Sequence, residues 1–152
     1  MPILDAKTVF TREAVLSGAS VGTVVKGTTA WNGGIASDAS QIVDQEKAGD
    51  AVGQELTVKV VVGGTAAISG TTASTLTVKL QTADTITTPT AADSDFTDLL
   101  ISPALKVDGK NPGDEIYSFR IPSGTKRYLR TTATVGGATV TGVFSIFATR
   151  DL

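Results

Sequence analysis

Between Gln54 and Val62 apolar and polar side chains alternate. Leu56, Val58, Val60 and Val62 fall on one parity, Glu55, Thr57 and Lys59 on the other. A period of two is the mark of a strand with one buried face. Val61 interrupts the polar set and hints at burial on both sides near that end. Thr75 to Thr82 repeats the pattern, with Leu76, Val78 and Leu80 inward and Thr77, Lys79 and Gln81 outward. The small-residue loop Gly63 to Ser74 joins the two runs, which are expected to pair as an antiparallel unit. From Asp114 to Ala148 the chain reads as a β-meander with turns at Ser123-Gly124-Thr125 and Gly136-Gly137. Tyr117, Phe119 and Ile121 share one face of its first strand. Phe144 and Ile146 share a face of its last, and Ser145 and Phe147 the other.

Elsewhere the pattern is weaker. Ile3 to Phe10 reads as an extended arm or edge strand. Thr11 to Leu16 reads as a short helical turn, since Thr11 suits a cap and Glu13 falls in the first turn. Ser20 to Lys26 and Gln41 to Asp44 read as strands. Gly27 to Ala39, Gln45 to Gly53 and Ala83 to Asp95 read as loops, the last carrying Pro89, which bars a central strand. Phe96 to Ser102 is weakly apolar and Pro103 to Pro112 irregular. About eight short strands between Gly, Pro, Asp and Ser clusters predict an all-β, single-domain antiparallel β-sandwich of jelly-roll type with long loops. Its expected division is an arm or edge strand at 1–10 and the sandwich at 11–152.

Composition narrows the function. A chain of 152 residues with 41% hydrophobic content suits one core. Charged residues make up 18%, below the roughly 25% of ordinary domains, which suits a surface partly covered by other proteins. A net charge of −2 and 5% aromatic content disfavour phosphate neutralisation and base stacking. The chain has no Cys and no His, which removes Ser-His and Cys-His nucleophilic pairs, disulfides and the commonest zinc ligands. No run is long and apolar enough for a membrane helix, and the N-terminal residues do not read as a signal peptide. The glycine pairs 33–34, 63–64 and 136–137 read as turns, because none joins a strand to a convincing helix.

A few residues invite closer reading. Asp93, Asp95 and Asp98 offer oxygen donors for a hard cation, but the complete calcium-loop pattern is missing and a solvated loop is the expectation. Asp114 and Glu115 read as edge charges, although paired carboxylates for glycoside hydrolysis are not excluded by a sequence. Trp31, the only Trp, either caps the core or anchors a partner. Lys126, Arg127 and Arg130 cluster near one strand. Strict alternation puts Lys126 and Arg130 on one face with Tyr128 between them, and Arg127 with Leu129 on the other. They form either a solvated outer face or a basic patch meeting an acidic partner.

One resemblance adds to this. Leu4-Asp5-Ala6 with Phe10, Ile42-Val43-Asp44, Gly53, Leu76 through Thr82, Phe119-Arg120-Ile121-Pro122, Gly124 and Lys126-Arg127-Tyr128-Leu129-Arg130 follow one another in an order that resembles the jelly-roll capsid cement, or decoration, proteins of tailed bacteriophages, the type known from a Bordetella phage. Gly27 to Ala39 looks like an insertion relative to that pattern. The resemblance implies a structural virion protein that is not an enzyme and needs no cofactor. It implies a homodimer or homotrimer on the outer capsid surface, made in the host cytoplasm, that clamps neighbouring major capsid protein subunits against the pressure of packaged DNA. Interface residues are expected among Pro2, Ile3, Leu4, Trp31, Lys126, Arg127 and Arg130, with the apolar N-terminus adding to a neighbouring sheet or groove. A carbohydrate-binding or adhesion module is the competing reading. It would need an aromatic platform, for which one Trp and two Tyr are a thin supply.

Overall fold

The computed structural model describes residues 9–25, 35–37, 40–44, 56–87 and 93–150. They form β1 (Val9–Ala19), β2 (Val24–Val25), β3 (Ile35–Ser37), β4 (Ser40–Asp44), β5 (Leu56–Val62), β6 (Thr75–Ala83), β7 (Thr97–Ile101), β8 (Leu105–Lys106), β9 (Glu115–Arg120), β10 (Tyr128–Gly136) and β11 (Val140–Arg150), with a 3₁₀ turn at Asp93–Asp95. The smaller sheet has the order β1-β11-β5-β9. The larger has β3-β4-β10-β6-β7, with β2 beside β10 and β8 beside β6. Every pairing is antiparallel.

The topology is a nest of hairpins. β6 pairs β7 at the centre; β5 pairs β9, β4 pairs β10 and β1 pairs β11 outside it. Rolling this nest brings β11 against β5 and β10 against β6. The eight strands of the nest then divide four and four between the two facing sheets, which is a jelly roll; β2, β3 and β8 extend the larger sheet. The predicted fold class therefore holds.

The alternation at β5 and β6 reports the inner faces correctly. Leu56, Val58, Val60, Val62, Leu76, Val78 and Leu80 are buried, and they meet Phe144, Ile146, Leu129 and Val135 in one core. Pairing is another matter. β5 and β6 lie in opposite sheets and look at each other across the core, so the expected antiparallel unit does not exist. The connection 63–74 crosses the end of the sandwich instead. Ile68 plugs that end at 1% exposure, and Ser69 bridges to Thr141. Gly142 makes room for the plug: a Cβ there would lie 2.8 Å from Ile68 Cγ1.

The meander is corrected in the same way. β9 and β11 belong to the smaller sheet and β10 to the larger, so consecutive strands swap layers. The Gly136-Gly137 turn is the crossover rather than a hairpin within one sheet. Gly137 has φ 72°, and a Cβ would fall 1.7 Å from the Ala73 carbonyl oxygen. The face assignments survive. Phe144 and Ile146 point inward. Tyr117 and Phe119 rings sit 5.8 Å apart, and with Ile121 they reach the core.

The expected helical turn at Thr11 to Leu16 is strand. β1 slips register three times against β11, and each bulge breaks the period of two. Glu13 adopts φ 45° and Gly18 φ 60°. Their N–H groups donate to Ser145 Oγ at 3.0 Å and Thr141 Oγ1 at 3.1 Å. Side-chain hydroxyls thus satisfy amides that the ladder skips. The arm expected over 1–10 ends inside β1, where Val9 and Phe10 are buried. Smaller corrections follow. Ser20 to Lys26 yields a turn and the two residues of β2, β3 occupies part of the expected loop Gly27 to Ala39, and β8 with buried Val107 occupies the segment read as irregular.

The ladders differ by position. β11–β5 and β10–β6, both interior, run without a register shift. β1–β11, β5–β9 and β6–β7, each ending on a main edge strand, all contain one or more. Bulges at edges twist the free backbone groups away from adventitious pairing.

Candidate interaction surface

Alternation that turns Leu76, Val78, Leu80, Leu129 and Val135 inward turns their neighbours onto the outer face of the larger sheet. Cross-strand partners there are Tyr128 with Ala83, Arg130 with Gln81 and Thr132 with Lys79. This face is not simply solvated. Ile42, Ala83, Phe96 and Tyr128 form a second buried apolar cluster, separate from the main core. Tyr128, Leu129 and Arg130 are consequently all buried, because β10 is covered on both sides.

Arg130 organises the polar part. Its side chain is 2% exposed. Nε donates to Gln81 Oε1 at 2.8 Å. The guanidinium carbon lies 3.9 Å from the centre of the Phe96 ring, a cation–π contact in a desolvated setting. Nη1 is 2.9 Å from Asp93 Oδ1, an ion pair by distance that lacks hydrogen-bond alignment. Gln81 Nε2 in turn donates to Asp98 Oδ1 at 2.6 Å, and Lys79 Nζ to Asp98 Oδ2 at 2.8 Å. The bonds from Lys79 and then Gln81 hold the Asp98 carboxyl below the ordinary aspartate range; the nearby positive charges of Lys79 and Arg130 add to this, outweighing desolvation. Lys79, Asp98, Gln81, Arg130 and Asp93 thus form one network. A buried guanidinium costs several kcal/mol unless paired, and this network supplies the pairing.

Of Lys126, Arg127 and Arg130, expected to form either a solvated face or a basic patch, Arg130 does not reach the surface. Arg130 is buried, because Phe96 roofs it and Asp93 neutralises it. Lys126 Nζ is 2.9 Å from Asp84 Oδ2, and the Lys126 N–H donates to Thr82 Oγ1 at 2.8 Å. The Arg127 guanidinium carbon lies 4.9 Å from the Tyr128 ring centre. Pro2, Ile3, Leu4 and Trp31 lie outside the described residues.

The acidic positions also separate. Asp93 meets Arg130, Asp98 meets Lys79 and Gln81, and Asp95 accepts from the Thr87 N–H at 2.8 Å and its Oγ1 at 3.2 Å. Among the described residues no three metal-ligating side chains converge. Asp114 accepts from the Asn111 N–H at 2.8 Å, and Glu115 pairs with Lys59 at 3.3 Å. Sequence reading missed Gln81, Asp93 and Phe96 as partners of Arg130. Nothing local signals them: Phe96 precedes Arg130 by a long stretch of chain and arrives through the rolled topology.

With this geometry in view, one family model matches, over residues 27–148. The chain belongs to the Bbp16 family. The family is named for a Bordetella phage, which makes this a phage-related protein. The matched region runs from Gly27 to Ala148 and so contains β3 through β10 and most of β11. It takes in the segment 27–39 that had looked like an insertion. It leaves out β1, β2 and the Leu4-Asp5-Ala6 and Phe10 part of the resemblance. No curated protein matches this Bbp16 family member, and among the described residues no helix is long and apolar enough to cross a membrane.

Proposed function

We propose that this Bbp16 family member is a capsid cement protein. It binds the outside of a tailed-phage head as a homo-oligomer and clamps neighbouring major capsid protein subunits against the outward load of packaged DNA. Membership of a phage-named family is the observation that carries the reading, and the rolled jelly roll supports it mechanically. Its two interior ladders, β10–β6 and β11–β5, run without a register shift, which suits a rigid clamp. The proposed role is binding without turnover, in keeping with a chain that has no His and no Cys.

Multivalency is the physical basis. An oligomer touching several capsid subunits makes each further contact intramolecular, so modest individual affinities suffice. The apolar residues Pro2, Ile3 and Leu4 are proposed as the exchanged arm that adds to a neighbouring sheet or groove. The test uses heads lacking the protein, incubated with purified wild type or a variant deleted for residues 1–6. The expected result is saturable co-sedimentation of the wild type, later heat-induced DNA release, and lost occupancy for the deletion. Equal occupancy of both retires the arm. No sedimentation of either, at any concentration, retires the cement role.

A further inference from the structure

The second apolar cluster and the Arg130 network share one support, the segment Asp93–Asp98. It comprises the 3₁₀ turn, Phe96 and the first two residues of β7. β7 is divided. Thr97 and Asp98 pair with Thr82 and Gln81, Leu100 and Ile101 with Leu80 and Lys79, and Leu99 is the extra residue at the register shift between them. Beyond the shift the chain is anchored. Leu99 and Leu100 pack on the main core, the Ser102 N–H donates to the Val78 carbonyl at 2.9 Å, and Ser102 Oγ accepts from the Val78 N–H at 2.9 Å. Before the shift, attachment is a short two-residue ladder of Thr97 and Asp98 on Thr82 and Gln81, the Thr97 Oγ1 bond to the Thr82 carbonyl at 3.3 Å, and side chains on the outer face: Asp93 to Arg130, Asp98 to Lys79 and Gln81, Asp95 to Thr87, and Phe96 on the small cluster.

We propose that Asp93–Asp98 is an electrostatically latched strap that hinges at Leu99 and lifts without unfolding the jelly roll. The small cluster shares no residue with the main core, so lifting the strap leaves the core closed. Asp93 stands largely in water at 66% exposure and Asp98 is partly covered at 35%, while Arg130 beneath is 2% exposed. The latch is therefore sensitive to solvent and ionic strength at its outer half. Opening uncovers Ile42, Ala83 and Tyr128 together with one guanidinium, an apolar patch with a cation at its end.

Hydrogen–deuterium exchange by mass spectrometry on the intact protein tests this, comparing wild type with the double variant Asp93→Asn, Asp98→Asn. Losing a charge-assisted hydrogen bond corresponds to about tenfold in a local opening equilibrium. Peptides spanning 93–98 and 81–83 are expected to exchange about tenfold faster, with 56–62 and 144–148 unchanged. Wild type in about 1 M NaCl, where the Debye length is about 3 Å, is expected to shift the same two regions in the same direction by a smaller factor, because the pairs are partly covered, and this arm covers the case of a variant that fails to fold. Acceleration of all four regions together, or of none, overturns the strap.

Discussion

The two sheets follow one rule on their inner faces and opposite rules on their outer ones. Inside, both contribute alternating Val, Leu, Ile and Phe to a single core. Outside, the larger sheet carries a second apolar cluster and a buried arginine under the strap at 93–98. On the smaller sheet Val15 stands 62% exposed, Val143 and Phe147 are half-buried, and Lys59 pairs with Glu115 at its surface. Alternation reports which residues turn inward. What covers the outward residues is decided by loops that the roll lays over one sheet.

Cutting each cluster in turn separates the two faces. Phe144→Ala in the shared core is expected to cost about 3–5 kcal/mol, and chemical denaturation should show it in the midpoint. Arg130→Ala removes the cation from beneath Phe96 and strands its partners; about 3 kcal/mol is expected. Arg130→Met, which keeps the packing, should recover most of that loss. If the two variants melt alike, pairing rather than packing explains Arg130.

Thr131 gives a smaller effect of opposite sign. Its Oγ1 is buried without a hydrogen-bond partner, at a strand position opposite Leu80. Thr131→Val is expected to stabilise by about 1 kcal/mol, visible as a higher melting temperature. Asp98 gives the smallest. Its folded pKa is depressed, so its contribution is fully present above the ordinary aspartate pKa of about 4 and disappears as pH falls through the lowered value. Wild type should exceed Asp98→Asn in stability at pH 6, and the gap should close as the solution is acidified below about pH 4. A gap that is constant with pH would remove the charge from the account.

How far the sequence reaches follows from the same physics. β5 and β6 were legible residue by residue, because Leu56 to Val62 and Leu76 to Leu80 keep strict parity. Their placement in opposite sheets was not, since parity names a face and never a neighbour. β1 was misread because bulges at Glu13 and Gly18 spoil the period that identifies a strand. Arg130 was placed with Lys126 because both are cations on one parity. Its burial depends on Phe96 and Asp93, which only the folded chain brings together.

Cryo-EM of the virion at side-chain resolution decides where this chain sits and what it touches. The expected density places this chain on the outer head surface, straddling junctions between major capsid protein subunits, with the strand orders β1-β11-β5-β9 and β4-β10-β6-β7 traceable in it. Finding it in the tail, in the head interior, or absent from mature particles would contradict it.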